Sequence, residues 1–221
     1  MNQWNSKPPG REAVFESFSQ VLKAVANPRR LELLELMAQG EHSVEALAQL
    51  SGMGMTTASA HLQQLKRTGL VTTRRERTTV FYRMAGDDIA ALYTAAKTVA
   101  VNRYPQLRHD VETFLEQPRL QGAVIDSSAV TEDMVVIDVR PRNEYDAGHF
   151  PGSVSMPLDE LEGRYREIPD GAEVVVYCRG EFCRMAREAA AWLRDHGINA
   201  KAMDEGVVEW RASKEVDLDV A

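Results

Sequence analysis

The chain has 221 residues, 44% of them hydrophobic and 27% charged, with a formal net charge of -7. That length suits two domains of about 100 residues each rather than one, and the balance excludes a disordered, collagen-like or fibrous chain. No apolar run approaches the ~20 residues of a membrane helix, and the opening MNQWNSKPPGRE lacks the apolar core of a secretory signal, so a cytoplasmic chain without membrane contact is expected.

The first half reads as helices. Phe15, Phe18, Val21, Leu22 and Val25 recur at helical spacing up to Asn27-Pro28, where Asn27 suits an N-cap and Pro28 the first turn of the next helix. That helix carries Leu31, Leu34, Leu36 and Met37 and stops at Gly40. Ser43 caps a short helix, Val44 to Leu50, and after Ser51-Gly52 another helix runs from about Thr56 to Thr68, with Leu62 and Leu65 inward and Gly69 as its stop. Leu70–Thr73 and Thr79–Tyr82 are β-prone and flank the charged tip Arg74-Arg75-Glu76-Arg77, which predicts a hairpin. A long amphipathic helix is expected from Asp87 to Glu116 with a kink at Pro105, followed by a linker around residues 119–123.

The second half alternates short apolar runs with helical patterns, as a parallel α/β sheet does. Val135–Val139 and Glu173–Tyr177 read as buried strands, and Ser153–Met156 and Asn199–Ala202 as shorter ones. Helices are expected near Leu158–Tyr165, Arg184–His196 and Val207–Ala212. The fold class is thus a mainly α winged helix-turn-helix domain (10–118) followed by an α/β parallel-sheet domain (124–217).

Charge separates the halves. Residues 1–120 hold 15 Lys and Arg against 12 Asp and Glu, and residues 121–221 hold 11 against 21. Nucleic-acid contact therefore belongs to the first half. A helix bearing Thr56, Thr57, Ser59, His61, Gln63 and Gln64 has little bulk to keep it from the major groove. Lys66, Arg67, Arg74, Arg75 and Arg77 place cations at the end of that helix and on the hairpin, where phosphate would lie. The segments Asn27–Leu34, Val44–Ala48, Thr57–Leu65 and Gly69–Val71 together resemble the ArsR family of winged-helix repressors. The resemblance implies a homodimer, formed by the first and last helices, on palindromic operator DNA. Many members sense metals through cysteines in the helix equivalent to Val44–Leu50; none stands here. His109 and Glu112 lack further ligands upstream, so no metal site is expected.

Cys178-Arg179-Gly180-Glu181-Phe182-Cys183-Arg184 follows a buried strand and precedes a helix. Backbone N–H groups curling around a sulfur, with a helix N-terminus behind it, lower a thiol pKa and create a nucleophile. Gly180 would allow the curl, and Cys178 is expected to be the more acidic thiol. Asp138-Val139-Arg140, Glu144-Tyr145, Gly148–Ser153, Met156–Leu158, Tyr177–Arg179 and Gly206–Trp210 together resemble a rhodanese domain. The resemblance implies a transient persulfide on Cys178, no other cofactor, and a loop from Arg179 to Cys183 cradling it. Asp138, Arg140 and Glu144 would shape the rim through ion pairs, and His149 reads as a packed loop histidine rather than a base.

Cys178-x5-Arg184 also fits the phosphate loop of related phosphatases and arsenate reductases, although Glu181 would repel a dianion and Tyr177 stands where those enzymes place His. Cys183 is open between a resolving thiol and a packed side chain. The reading is a DNA-binding regulator whose second half carries or senses sulfane sulfur, with a small-molecule or protein sulfur donor or acceptor. The alternatives are a rhodanese-type sulfurtransferase whose helical half only dimerises, and an arsenate reductase or phosphatase-like enzyme.

Overall fold

A computed structural model describes residues 9–115, 120 and 122–221. In the first half, α1 (Arg11–Val25) leads into α2 (Pro28–Ala38), whose N-cap Asn27 accepts from the N–H groups of Arg29 and Arg30. Strand β1 (His42–Ser43) precedes α3 (Val44–Leu50), where the Ser43 hydroxyl accepts from Ala46 N–H at 3.1 Å. Helix α4 (Met55–Arg67) is followed by the hairpin β2 (Val71–Glu76) and β3 (Thr79–Met84). The three strands form an antiparallel sheet in the order β1-β3-β2. The expected long helix is two: α5 (Asp87–Arg103) and α6 (Pro105–Leu115), separated at Tyr104, which is extended because the following proline disfavours helical backbone. The end of that expected helix, Glu116, and residues 119 and 121 of the expected linker lie outside the described residues.

Leu33, Leu34, Leu47, Leu62, Leu65, Leu70 and Tyr82 make the buried centre of this half. The inward residue of α2 is Leu33 as well as Leu34, whereas Leu31 is partly exposed. Along α1, Val14, Phe15, Phe18 and Leu22 are 41–59% exposed, and Val99 on α5 is 62% exposed.

The second half is a five-stranded parallel sheet in the order β4-β8-β7-β5-β6. Its strands are β4 (Val124–Ile125), β5 (Val135–Asp138), β6 (Val154–Ser155), β7 (Glu173–Tyr177) and β8 (Asn199–Met203). Helices α7 (Arg142–Asp146), α8 (Leu161–Arg164), α9 (Met185–Asp195) and α10 (Val207–Ser213) complete it. Along β7, Val174 and Val176 point into one core with α9, while Val175 and Tyr177 point into another with Trp210. A strand buried on both faces reads as a continuous apolar run, which is why β5 and β7 are visible in the sequence. The chain leaves β5 toward β6 on one side and β7 lies on the other, so the carboxyl ends of β5 and β7 form a topological switch point, where ligands of open α/β sheets bind.

The halves share a packed boundary. Helix α10 lies against α5 and α2, and its Val208 belongs to the core of the first half. Gly40 stands where a Cβ would meet the Cβ of Ala147 at 2.7 Å. Arg211 Nη1 lies 3.7 Å from Asp87 Oδ1, and Lys214 pairs with the same carboxylate.

Candidate functional site

The first candidate surface is α4 with the hairpin. Ala58, Leu62 and Leu65 bury one face of α4, which leaves Thr56, Gln63 and Arg67 on the opposite, exposed face, with Thr57 and Lys66 also exposed. Ser59, His61 and Gln64 are intermediate, flanking the buried stripe. Gln63 Nε2 donates to the Tyr82 hydroxyl at 3.0 Å and Lys66 Nζ to Thr73 Oγ1 at 2.8 Å, so the helix and the hairpin are braced together.

The three wing arginines differ. Arg74 is tied to Glu41 at 2.6 Å and Glu76 at 2.7 Å and lies over the Phe81 ring, and those two carboxylates hold its pKa above the ordinary value. Arg75 and Arg77 are exposed at the tip, where Arg77 takes the left-handed φ of 53° in the two-residue turn between Glu76 and Thr79. Charge and spacing group all three; pairing with Glu41, 33 residues away in sequence, distinguishes Arg74.

The second site is the loop between β7 and α9, at the switch point. Cys178 is 3% exposed and its Sγ donates to the Cys183 carbonyl at 3.4 Å. Cys183 N–H closes a turn on Gly180 O at 2.9 Å. Backbone N–H groups of Ala186 and Gly180 favour the Cys178 thiolate, and those of Met185 and Arg179 favour the Cys183 thiolate. Burial acts against the expected acidity of Cys178. Burial pushes the Cys178 thiol up, whereas the neighbouring Cys178 thiol brings the partly exposed Cys183 down to about 7 despite burial. Position after a strand suggested Cys178 as the thiolate, but the same position sinks it furthest from water.

Gly180 is also needed for a reason other than the one expected. Its φ is not positive; instead a Cβ there would lie 2.6 Å from Val208 Cγ1 and 2.8 Å from Glu209 Oε2. The glycine lets α10 close on the loop.

Ion pairs build the rim. Arg179 grips Glu144 with Nη2 at 2.6 Å and Nε at 2.9 Å. Glu144 is fully buried, lies 3.6 Å from His42 Nε2, and is held below its ordinary pKa because His42 and Arg179 outweigh burial. Arg140 and Asp138 form a fully buried pair at 2.6 Å; Arg140 also donates to Gly148 O, and the Tyr177 hydroxyl donates to Asp138 at 2.6 Å. His149 is packed: it stacks on Tyr145 at 3.8 Å and its Nδ1 lies 2.9 Å from Tyr145 O. Arg184 pairs with Glu188 at 2.9 Å.

Sequence reasoning did not anticipate that the first half completes this site. Gln39, the C-cap of α2, donates to Arg179 O at 3.2 Å and accepts from Arg140 Nη1 at 3.0 Å. Lys97 of α5 lies 2.9 Å from Glu181 and pairs with Glu209. Glu35 of α2 stands beside Tyr93, and burial, then the charges of Cys183 and Glu209, push its pKa up to about 7 against the opposing pull of Lys97 and Arg179. A lysine within an otherwise apolar stretch of α5 was the available signal. His109 and Glu112, by contrast, lie exposed on α6.

Comparison with known proteins matches residues 27–73 to the bacterial regulatory protein, arsR family, and residues 123–213 to the rhodanese-like domain. The HTH-type transcriptional regulator Rv0324 of Mycobacterium tuberculosis is 41% identical over 203 residues, which are 91% of this chain and 90% of that protein. The nodulation protein NolR of Rhizobium meliloti is 33% identical over 92 residues, 42% of this chain and 75% of that protein. Among solved structures, a homodimeric winged helix-turn-helix domain from Mycobacterium bovis, described as a possible ArsR-family regulator, is 46% identical. That match covers 45% of this chain and 92% of the other, with a TM-score of 0.41.

Proposed function

Because the chain belongs to the ArsR-family HTH transcriptional regulators that carry a C-terminal rhodanese-like domain, we propose that it binds operator DNA as a homodimer and that its second half carries sulfane sulfur on Cys178 as a signal. The exposed face of α4 presents side chains to base edges, and Arg75 and Arg77 neutralise phosphate. The apolar side chains exposed along α1 and at Val99 supply the surface for a second copy.

The observation that carries the sulfur reading is the pair of free cysteines on one short loop at the switch point, where the Cys178 Sγ donates to the Cys183 carbonyl at 3.4 Å. Cys183, the more acidic and more exposed thiol, attacks the outer sulfur of a persulfide RSSH, forming Cys183–S–SH and expelling RS⁻. Cys178 then attacks that outer sulfur, takes it as Cys178–S–SH, and passes its own proton to the departing Cys183 sulfur. A further attack of Cys183 on the inner sulfur of Cys178–S–SH releases HS⁻ and leaves a Cys178–Cys183 disulfide. The cations around the loop are matched by carboxylates: Arg179 by Glu144, Arg184 by Glu188, Lys97 by Glu181 and Glu209. Such a site suits a donor of low charge better than the dianion that an arsenate reductase or phosphatase must hold.

The test is a titration of the full-length protein with its operator duplex before and after treatment with a persulfide donor, with loading of Cys178 verified by mass. A coupling of about 1.4 kcal/mol gives a tenfold change in affinity; Cys178→Ser shows no change on the same treatment. Equal wild-type affinities before and after verified loading refute the reading.

A further inference from the structure

Lys97 sits on α5 of the DNA-binding half and is 8% exposed. Its Nζ lies 2.9 Å from Glu181 Oε2, pairs with Glu209 Oε1, and stands 5.2 Å from the ring centroid of Phe182. Glu181 and Phe182 are consecutive residues of the sulfur loop. The other oxygen of Glu209 accepts from Gly206 N–H at 3.0 Å, and Gly206 has no room for a Cβ against the Cys178 carbonyl. One ammonium group thus reaches the loop twice, directly at its crest and through Glu209 and Gly206 at the backbone of Cys178.

An ammonium group taken out of water persists only where opposite charge compensates it. Two carboxylates do so here, one from the loop and one from α10. They outweigh the burial that pulls Lys97 down and leave its pKa raised. The side chain of Glu181 is 39% exposed, so its anchor to the protein is Lys97. The groups facing this cluster are Glu35 from α2, Tyr93 from α5, Arg179 and Cys183 from the loop, and Glu209 from α10. Val99, two residues from Lys97 and so on a different face of α5, is open to solvent. Helix α5 therefore touches the sulfur loop with one face and offers an apolar residue to a second copy with another.

We propose that Lys97 is a positioning residue of the sulfur site, supplied by the DNA-binding half, which holds the Glu181–Phe182 crest in the conformation that brings Cys183 against Cys178 and makes α5 respond to the state of the loop. An added sulfur atom or any other substituent on the thiols must displace a crest whose contact with α5 is this ion pair. Without the ammonium group, Glu181 and Glu209 lose their common counter-charge and the crest moves off α5. The hydrogen bond from the Cys178 thiol to the Cys183 carbonyl is lost with it.

The experiment uses the full-length protein as wild type, Lys97→Met, Lys97→Arg and Glu181→Gln, and no sulfur donor. Iodoacetamide labelling of each cysteine is followed by peptide mass between pH 5.5 and 9.5, roughly spanning the thiol range, and amide exchange is followed over the loop and α5. Lys97→Met raises the Cys183 midpoint by about one unit, which is a roughly tenfold slower reaction below that midpoint, and Lys97→Arg restores it. Glu181→Gln leaves Lys97 paired with Glu209 and changes a half-exposed side chain. It speeds exchange of the loop about fivefold or more and abolishes the response of α5 to alkylation.

A Lys97→Met profile that overlays the wild type overturns the proposal, as does unchanged loop exchange in Glu181→Gln. If Lys97→Met fails to fold, Glu181→Gln decides alone. The proposal goes beyond the sulfane reading and fails separately from it: overlaid profiles in a protein that responds to persulfide refute the role of Lys97, whereas shifted profiles in a protein deaf to persulfide refute the sulfane reading.

Discussion

Replacing Glu35 by Gln makes the protein more stable at neutral and alkaline pH, and the size of the effect follows from its surroundings. Glu35 sits on α2 at the boundary between the halves, and its pKa is raised from 4.5 to about 7 by burial, by Cys183 and by Glu209. Below pH 4.5 the carboxyl is protonated in the folded and the unfolded chain and contributes nothing. Between pH 4.5 and about 7 only the folded state keeps the proton, so stability falls as pH rises, and above about 7 the loss is constant. A shift of this size at about 1.4 kcal/mol per unit amounts to about 3 kcal/mol, reduced by the solvent that still reaches the side chain. Gln preserves the shape and an acceptor for the Tyr93 hydroxyl but carries no charge to desolvate. Urea unfolding followed by Trp192 and Trp210 fluorescence should give equal stabilities near pH 4.5 and a variant ahead by up to about 3 kcal/mol at pH 8, a midpoint shift on the order of 1 M. Taking the difference between the two proteins cancels the titrations that Glu35 does not influence, such as that of Asp204. Cys183→Ser in both backgrounds removes a neighbouring negative charge and moves the midpoint of the difference curve to lower pH. A difference that is flat from pH 5 to 8, or a variant less stable at pH 8, refutes this account of Glu35.

Arg75→Ala with Arg77→Ala should weaken binding to all duplexes and reduce the salt slope by about 2, since each phosphate contact contributes about 0.9; an unchanged slope removes the tip from the DNA contact. Arg74→Ala should change that slope less, because Arg74 is occupied by Glu41 and Glu76. His61→Ala should alter the ranking of operator variants rather than the slope, as read by competition binding. Brief iodoacetamide treatment at pH 7 should label Cys183 before Cys178, given the lowered Cys183 pKa and the burial of Cys178; the reverse order in peptide mapping contradicts the thiol assignment. Gly40→Ala should force α2 and Ala147 apart and cost about 1–3 kcal/mol, as overpacked contacts do, and faster amide exchange at the boundary between the halves would register it.

The sequence by itself determined most of the longer elements and their order. Caps at Asn27 and Ser43, the change of period after Gly69, and the unbroken apolar runs of β5 and β7 are local signals, and the helices and strands stand within one or two residues of them. Short elements such as β1, β4 and α7 carry no such period and exist because a neighbouring strand or loop holds them. The split at Tyr104 was legible as a proline, though a kink and a break differ only in how the following turn packs. The sulfur loop could be located from its position between a strand and a helix, but the balance between its two thiols could not. Thiol acidity depends on burial and on which backbone N–H groups arrive at each sulfur, and both are set by the packing of α9 and α10 around the loop. The same holds for Gln39, His42 and Lys97, which reach Glu144, Arg140, the loop or α10 across more than 80 residues of chain. Pairing of charges at that separation leaves no periodicity in the sequence. Only the closing of one half on the other decided that α2 and α5 of the first half would also be walls of the cysteine loop.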